Sequence, residues 1–444
     1  MTCRVGIDIG GTFTDFALLD EATGNLTVHK QLTTPDDPAR AVIDGVPALL
    51  KKAGAKIGDV ATLVHGTTLV TNAIIERHGA VTGMLVTKGF SDVLDIALER
   101  RYDMYDMRIS YPEPLVARQF RVEVDERMGA DGKVRAPLDE KEVRTAVDKL
   151  VAQGVEAIAV CYLNAQANAA HEEATGALVR AAYPKLFVST SADVFPFIRE
   201  YERWTTTTMN AFTQPMFDRY LQRLEDGLKA AGFTGALFVM TSSGGTVTVE
   251  TARRYPVRML ESGPAAGVLL SAALGQIMER PDLLAFDMGG TTAKGALIRG
   301  GVPLKRYEME VARVHEFKFG SGLPAKIPVI DLIEIGAGGG SLAHIDTRGV
   351  IAAGPRSAGA MPGPVCYGRG GENPALTDAN LLLGYLDARF FLGGEMSLDT
   401  EGAAKALERV LGKPLGVDAA RAAWGVHETV NENVSRAFRN HASE

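Results

Sequence analysis

Two short stretches of this 444-residue chain carry the residue types that phosphate chemistry needs. The first, residues 5–15, reads Val5-Gly6-Ile7-Asp8-Ile9-Gly10-Gly11-Thr12 and runs on through Thr14 to Asp15. The second, residues 286–294, reads Phe286-Asp287-Met288-Gly289-Gly290-Thr291-Thr292 and ends on Lys294. In each, an apolar strand ends near an Asp, a Gly-Gly turn follows, and a second apolar segment (16–19; 296–298) returns, which is the pattern of a β-hairpin. Glycines there let backbone N–H groups approach phosphate oxygens, threonine hydroxyls add donors, and the aspartate can hold a hydrated magnesium ion. Two such hairpins facing each other can clamp one polyphosphate, with Asp8 and Asp287 reaching the metal from opposite sides. A plain hairpin, with Gly-Gly as a tight turn and Asp as turn former, would not explain the duplication. Neither copy opens a helix after its glycines, so the dinucleotide-binding fingerprint fits poorly.

Other residues are candidates with a bland reading beside the functional one. His65 precedes a Thr-Thr pair that resembles a helix N-cap and could touch substrate or phosphate; a histidine satisfied by local hydrogen bonds fits the sequence equally. Arg199, Glu200, Tyr201, Glu202 and Arg203 can orient substrate or bridge domains, or simply form a solvated first helical turn. Gly338, Gly339 and Gly340 permit close approach of backbone to a nucleotide or to the opposite hairpin, or make a tight turn. Cys366 has no identifiable base partner and reads as a packed thiol.

The elements that must position these residues alternate between strand and helix. Residues 62–64, 81–87 and 157–162 read as strands, 68–77, 141–153 and 169–182 as helices, and 99–121 as an irregular surface loop. Residues 203–231 predict one or two long helices interrupted near Pro215, in which the β-branched run 205–208 must be packed or bonded; 236–240 predict a strand. Residues 336–371, dense in Gly and Pro, predict a loop system against a ligand or another backbone. The length calls for at least two domains meeting at a cleft, divided as 1–193 and 194–444. Composition, 46% hydrophobic and 23% charged, is that of a soluble globular protein, and a net charge of −7 without long acidic runs gives no sign of nucleic-acid or membrane binding. Three widely spaced cysteines suit a reducing compartment, and with neither a secretory-signal pattern nor an apolar run of bilayer length the expected location is cytoplasmic.

Beyond both hairpins, the chain resembles the hydantoinase A/oxoprolinase family end to end. The resemblance is carried by His65-Gly66-Thr67-Thr68 with Thr71-Asn72-Ala73, Thr87-Lys88-Gly89-Phe90, Arg199-Glu200-Tyr201-Glu202-Arg203 and Ser242-Ser243-Gly244-Gly245. It continues through Ser262-Gly263-Pro264-Ala265-Ala266-Gly267, Gly336 to Ser341, residues 355–371 and Thr377-Asp378-Ala379-Asn380. It implies an α/β fold of duplicated actin-like ATPase (ribonuclease H-like) domains around a nucleotide cleft. It also implies use of ATP with magnesium, or manganese in its place, and transfer of a phosphoryl group to a carbonyl or enolate oxygen. By the same resemblance Asp8 and Asp287 hold the metal, His65 and Arg199 serve the chemistry, and Gly10, Gly11, Thr12, Thr14, Asp15, Gly289, Gly290, Thr291, Thr292, Lys294 and the three glycines 338–340 hold the nucleotide. Expected partners are a small-molecule substrate and a B-type subunit in a homo- or hetero-oligomer.

Three departures bear on the activity. Lys294 stands where most members have an acidic residue and can neutralise phosphate or pair with a carboxylate; Asn164 replaces a histidine common in the family. The sequence stops within a helical pattern, so that the face of Trp424, Val430 and Val434 is expected to be bare for want of a continuation. Hydrolysis of a hydantoin- or 5-oxoproline-like ring leads; an acetone- or acetophenone-type carboxylase subunit and a non-catalytic assembly subunit stay open.

Overall fold

A computed structural model describes residues 2–34, 36–315, 318–394 and 396–443. The first hairpin is built from Cys3–Ile9 and Phe13–Asp20, paired antiparallel so that Asp8 faces Asp15. Alternation decides its orientation: Cys3, Val5, Ile7 and Ile9 turn inward. The strand Val60–Thr67 joins Cys3–Ile9 in parallel, and Ala236–Met240 joins Val60–Thr67 in parallel. Leu26–Leu32 and Thr246–Thr248 complete a six-stranded sheet. Ala236–Met240 lies beyond residue 193 in the chain yet belongs to the first sheet.

A second, four-stranded parallel sheet is formed by Phe187–Thr190, Ala157–Cys161, Thr82–Thr87 and Arg121–Val124. Its helix Glu140–Ala152 starts where the Asp139 carboxylate accepts the Lys141 N–H, with Glu140 and Glu142 in the first turn and Lys149 in the last, as the helix dipole favours. No regular element occupies 99–117.

The interruption expected at Pro215 is absent: Glu200–Ala230 is one continuous helix. Proline removes a single N–H and disfavours its preceding turn, but burial on two sides holds the axis. Phe212, Phe217, Tyr220, Leu221 and Leu224 pack in the first-sheet core, while Trp204 and Ala211 pack beneath the second sheet. The threonine run is packed throughout, and its residues Thr206, Thr207 and Thr208 are bonded. Thr206, Thr207 and Thr213 donate to the carbonyls of Glu202, Arg203 and Met209 at 2.7–2.8 Å, which removes the penalty of burying those hydroxyls.

The second hairpin pairs Leu283–Met288 with Ala293–Arg299, and Ile333–Ile335 adds to the latter. The 336–371 stretch is not only loop, because Ser341–Ile345 and Ile351–Ser357 form an antiparallel pair within it. The helix Ala419–Ser443 packs over the second hairpin, and this corrects the expectation of a bare face: Val430 is 1% exposed and Val434 packs with it, while Trp424 is 45% exposed. Apolar side chains exposed near the second hairpin include Leu270, Leu274, Ile277, Leu284 and Phe286.

Phe438 fixes how that helix seats. A methyl group at Gly295 would lie 2.0 Å from its ring, so only glycine fits. Gly295→Ala is expected to cost about 1–3 kcal/mol through overpacking, read as a lower midpoint in urea denaturation; an unchanged midpoint would mean that the Phe438 ring is not held there.

Candidate active site

The Gly-Gly turns of the two hairpins have the same local build. Gly10 N–H donates to the Phe13 carbonyl and Gly289 N–H to the Thr292 carbonyl, each at 2.9 Å. The turns meet: a methyl group at Gly290 would sit 2.8 Å from Thr12 Oγ1. Glycine at 290 is therefore a requirement of close approach between the hairpins. Thr14 is fully buried and shares a 3.0 Å hydrogen bond with Thr33, whose hydroxyl donates to the Gly10 carbonyl at 2.9 Å. Thr291 remains exposed at the second turn.

Asp8 lies at the end of the first strand, beside Gly66 on the neighbouring strand and Gly263 at the start of the helix Ser262–Ile277. A methyl group would come within 3.1 Å of Asp8 Oδ1 at Gly66 and 2.3 Å at Gly263, so both glycines exist to make room for the carboxylate. Oδ1 is buried and has no hydrogen-bond partner among the described residues. Burial pushes the Asp8 carboxyl up to about 6, and Asp15 and Asp287 push it further in the same direction than Lys30 and Lys294 pull it back. Asp287 is exposed on the opposing hairpin. The helix start at Gly263 is tied to the sheet by Ser262, whose hydroxyl donates to Thr67 O at 3.0 Å and accepts from Thr67 N–H at 3.1 Å.

The basic residues nearest this cleft are already paired. Lys30 bonds both oxygens of Asp15 at 2.7 Å. Lys294 is buried, forms an ion pair with Glu261 and lies 3.6 Å from Glu334. Burial alone would lower its pKa, but the two carboxylates outweigh that and raise it. Of the two roles open to Lys294, the structure shows carboxylate pairing.

Two more expectations change. Gly339 and Gly340 donate their N–H groups to the carbonyls of Gly289 and Gly290 at 2.9 and 2.6 Å, and Gly338 N–H donates to Ser341 Oγ at 2.9 Å. These glycines brace the second hairpin, and their donors are no longer free for a nucleotide. His65 sits inside its strand, paired with Ile7, on the face opposite Asp8 and Gly66. It is fully buried, shares a 2.7 Å hydrogen bond with Tyr220 and is pushed down to about 4 by burial, hence neutral near pH 7. A core histidine replaces the substrate-contacting one.

Arg203 is also architectural. It is fully buried and donates to Ser191 Oγ, Gln166 Oε1, Phe197 O and Tyr162 O at 2.7–3.0 Å, fastening the loop before the long helix to the second sheet. Arg199 instead stays largely solvent-exposed. It lies between a cavity of about 860 Å³ bounded by Phe195, Phe197, Thr241, Ser243 and Ile327, and one of about 600 Å³ bounded by Tyr102, Tyr111 and Tyr201. Glu202 and Lys326 border both. Cys366 is a buried thiol raised by burial and by Asp378, as suits a packed side chain.

Among the described residues no group of three or more His, Cys, Asp or Glu is placed to hold a metal. A magnesium ion bound largely by water and phosphate needs only one or two carboxylates, and the unpartnered oxygen of Asp8 suits it. Sequence reasoning missed Gly66, Glu261 and Gly263 as parts of this site. Gly263 before a proline at a helix start was the available signal; nothing marked Glu261 as the partner of Lys294.

Residues 4–183 match the hydantoinase/oxoprolinase N-terminal region and residues 203–444 match hydantoinase/oxoprolinase. The alpha subunit of caprolactamase from Pseudomonas jessenii is 37% identical over 442 residues, covering 98% of this chain and 62% of its own. The crystal structure of that ATP-dependent caprolactamase superposes with a TM-score of 0.80 at 36% identity over 98% of this chain and 63% of the other. A nucleotide-free acetone carboxylase superposes at 0.84 with 28% identity, over 99% of this chain and 63% of the other. The chain spans 60–62% of the length of the caprolactamase and acetophenone carboxylase subunits and 34–38% of that of the 5-oxoprolinases it matches. With these neighbours, the duplicated α/β architecture is the actin-like ATPase fold. Among the described residues no helix is long and apolar enough to cross a membrane.

A raised carboxyl pKa has a definite sign in stability. Asp8 holds its proton more tightly folded than unfolded, so the metal-free protein loses stability as pH rises from about 4 to about 6. Asp8→Asn is expected to be more stable than the parent at pH 7 in chelator, by about 1–3 kcal/mol, and to match it at pH 4. Thermal melts at the two pH values check this; equal melting temperatures at pH 7 would contradict the strain assigned to Asp8.

Proposed function

This chain belongs to the hydantoinase/oxoprolinase family, and we propose that it is the ATP-handling part of an enzyme that activates a cyclic amide for hydrolysis. The observation that carries the reading is Asp8 Oδ1, buried without a partner beneath two touching Gly-Gly hairpins. A carboxylate in that state needs a cation, and a cation between facing phosphate turns needs a polyphosphate.

In the proposed reaction the γ-phosphoryl group of ATP passes to the carbonyl oxygen of a hydantoin- or 5-oxoproline-like ring. A P–O bond to ADP breaks and one to the amide oxygen forms. The poor amide electrophile becomes one that water can open: water adds to the activated carbon, the ring C–N bond breaks with the nitrogen taking a proton, and a second water releases inorganic phosphate from the resulting acyl phosphate, so no covalent enzyme nucleophile is required. The chain's own part is positioning and charge. The N–H groups of Gly11 and Gly290, with Thr12 and Thr291, would face the phosphates, the N-terminus of the helix Ser262–Ile277 adds its dipole beside Asp8, and Asp8 and Asp287 would hold magnesium from opposite hairpins. When bound, that ion supplies neutralisation of the phosphate charge. The glycines 338–340 keep the second turn in shape.

The likeness to acetone carboxylase supports a second reading, in which the phosphoryl acceptor is a ketone enolate in a carboxylase subunit. Water-opening of the ring, or carboxylation, is proposed to be completed with a B-type subunit in a cytoplasmic hetero-oligomer. The expected outcome is magnesium-dependent ATP binding by calorimetry, weakened about 10–100-fold in Asp8→Asn or Asp287→Asn. With the partner present, ATP hydrolysis should follow addition of a cyclic amide and not of a ketone with bicarbonate; the opposite pattern would favour the carboxylase, and tight binding unaffected by either substitution would refute the site.

A further inference from the structure

The geometry points to a substrate seat at the N-terminus of the long helix, in which Glu202 and Arg199 together read the cis amide edge of a ring. This rests on the proposed phosphoryl transfer and adds where the acceptor lies and what selects it. Glu202 is 3% exposed, and its Oε2 is buried with no hydrogen-bond partner among the described residues. Its Oε1 is 3.5 Å from the Arg199 guanidinium, too long for a good hydrogen bond, and Arg199 is otherwise solvent-facing. Both residues border both cavities. Arg199 has φ 77°, a left-handed backbone that non-glycine residues adopt at a cost and that marks sites where geometry is imposed.

An unsatisfied acceptor beside an underused donor defines a complementary ligand. In a ring amide the N–H and C=O project from one edge, so the N–H can donate to Glu202 while the carbonyl accepts from Arg199. An open-chain trans amide points them to opposite edges and meets only one. A ketone has no donor and would bury Glu202 unpaired, a cost of the kind that produces strong discrimination. Phe195, Phe197 and Ile327 supply an apolar wall for the ring carbons.

The seat also lies on the right edge of the sheet. Thr241 and Ser243 follow the C-terminal end of Ala236–Met240, which runs parallel to Val60–Thr67 and hence to the strand that carries Asp8. Two strand spacings place them about 10 Å from the first glycine turn, at the edge where parallel sheets bind ligands.

The test titrates the whole chain calorimetrically with a lactam, its N-methyl derivative and a ring ketone of the same size, each with and without magnesium and ATP. The lactam is expected to bind at least about tenfold more tightly than the other two, and Glu202→Ala to erase that preference while ATP binding persists as evidence of an intact fold. Equal affinities, a preference that survives Glu202→Ala, or no binding of the lactam would overturn the inference. The ligand series on the unaltered protein decides even if the variant does not fold. Loss of ATP binding with the lactam preference intact would instead sink the phosphoryl-transfer reading alone.

Discussion

The structure is organised around one electrostatic constraint, the Asp8 carboxyl placed where no protein group answers it. A buried ionised oxygen without a partner is among the more costly features a fold can carry, and here the surroundings deepen the cost. Asp15 and Asp287 add like charge, and the lysines that could offset it are committed elsewhere, Lys30 to Asp15 and Lys294 to Glu261. The result is a cleft whose positive charges are internally balanced and whose deficit can be met only from outside. Three glycines, at 66, 263 and 290, keep side chains out of that space.

Holding two turns in contact around an unsatisfied group needs rigid support, and the support is layered. The second turn is braced by the N–H groups of Gly339 and Gly340; Gly339 is in turn held through its carbonyl by Thr377, from both backbone and hydroxyl. One residue on, Asp378 accepts N–H groups of Val365, Cys366 and Ala375 and so fastens the Gly- and Pro-rich segment to the start of the helix Leu376–Leu382. The motif around Thr377 and Asp378 thus acts on the second Gly-Gly turn at one remove, through hydrogen bonds to the backbone of Gly339. Hydrogen-bonded networks whose buried members are satisfied, as Asp378 and Thr377 are here, rigidify the backbone they hold.

What the sequence disclosed followed from periodicity and from repeated residue types. The strands 82–87 and 236–240, the helices 140–152 and 170–182, and both hairpins came from local patterns that the tertiary structure does not override. Pro215 misled because the helix interior there is held by two cores at once, information that a local reading lacks. His65 could not be placed because one residue of register separates the Asp8 face from the core face of its strand. Lys294 and Gly338 to Gly340 were read for their chemistry, but their partners come from segments distant in sequence, Glu261, Glu334 and the turn at 289–290. Glu202 stood in a motif with four polar neighbours; it and Arg203 are both buried, and what separates them is that Arg203 is fully hydrogen-bonded while Glu202 Oε2 has no partner among the described residues.

The two hairpins are alike in turn and unlike in setting, and the difference follows from what flanks them. Cys3–Ile9 is an interior strand, covered on its outer edge by Val60–Thr67 and Ala236–Met240, so Asp8 is enclosed. Leu283–Met288 is the edge of its sheet among the described residues, with Leu284 and Phe286 exposed, and Asp287 is correspondingly open. One aspartate is therefore desolvated and strained toward its proton, while the other stays in water. Under the proposed function, a cation between them would answer the buried oxygen that has no partner among the described residues. The parallel strands that enclose Asp8 also extend the same sheet edge toward Thr241 and the cavity at Glu202, so the first half of the molecule can supply both the strained carboxylate and the floor of the neighbouring seat.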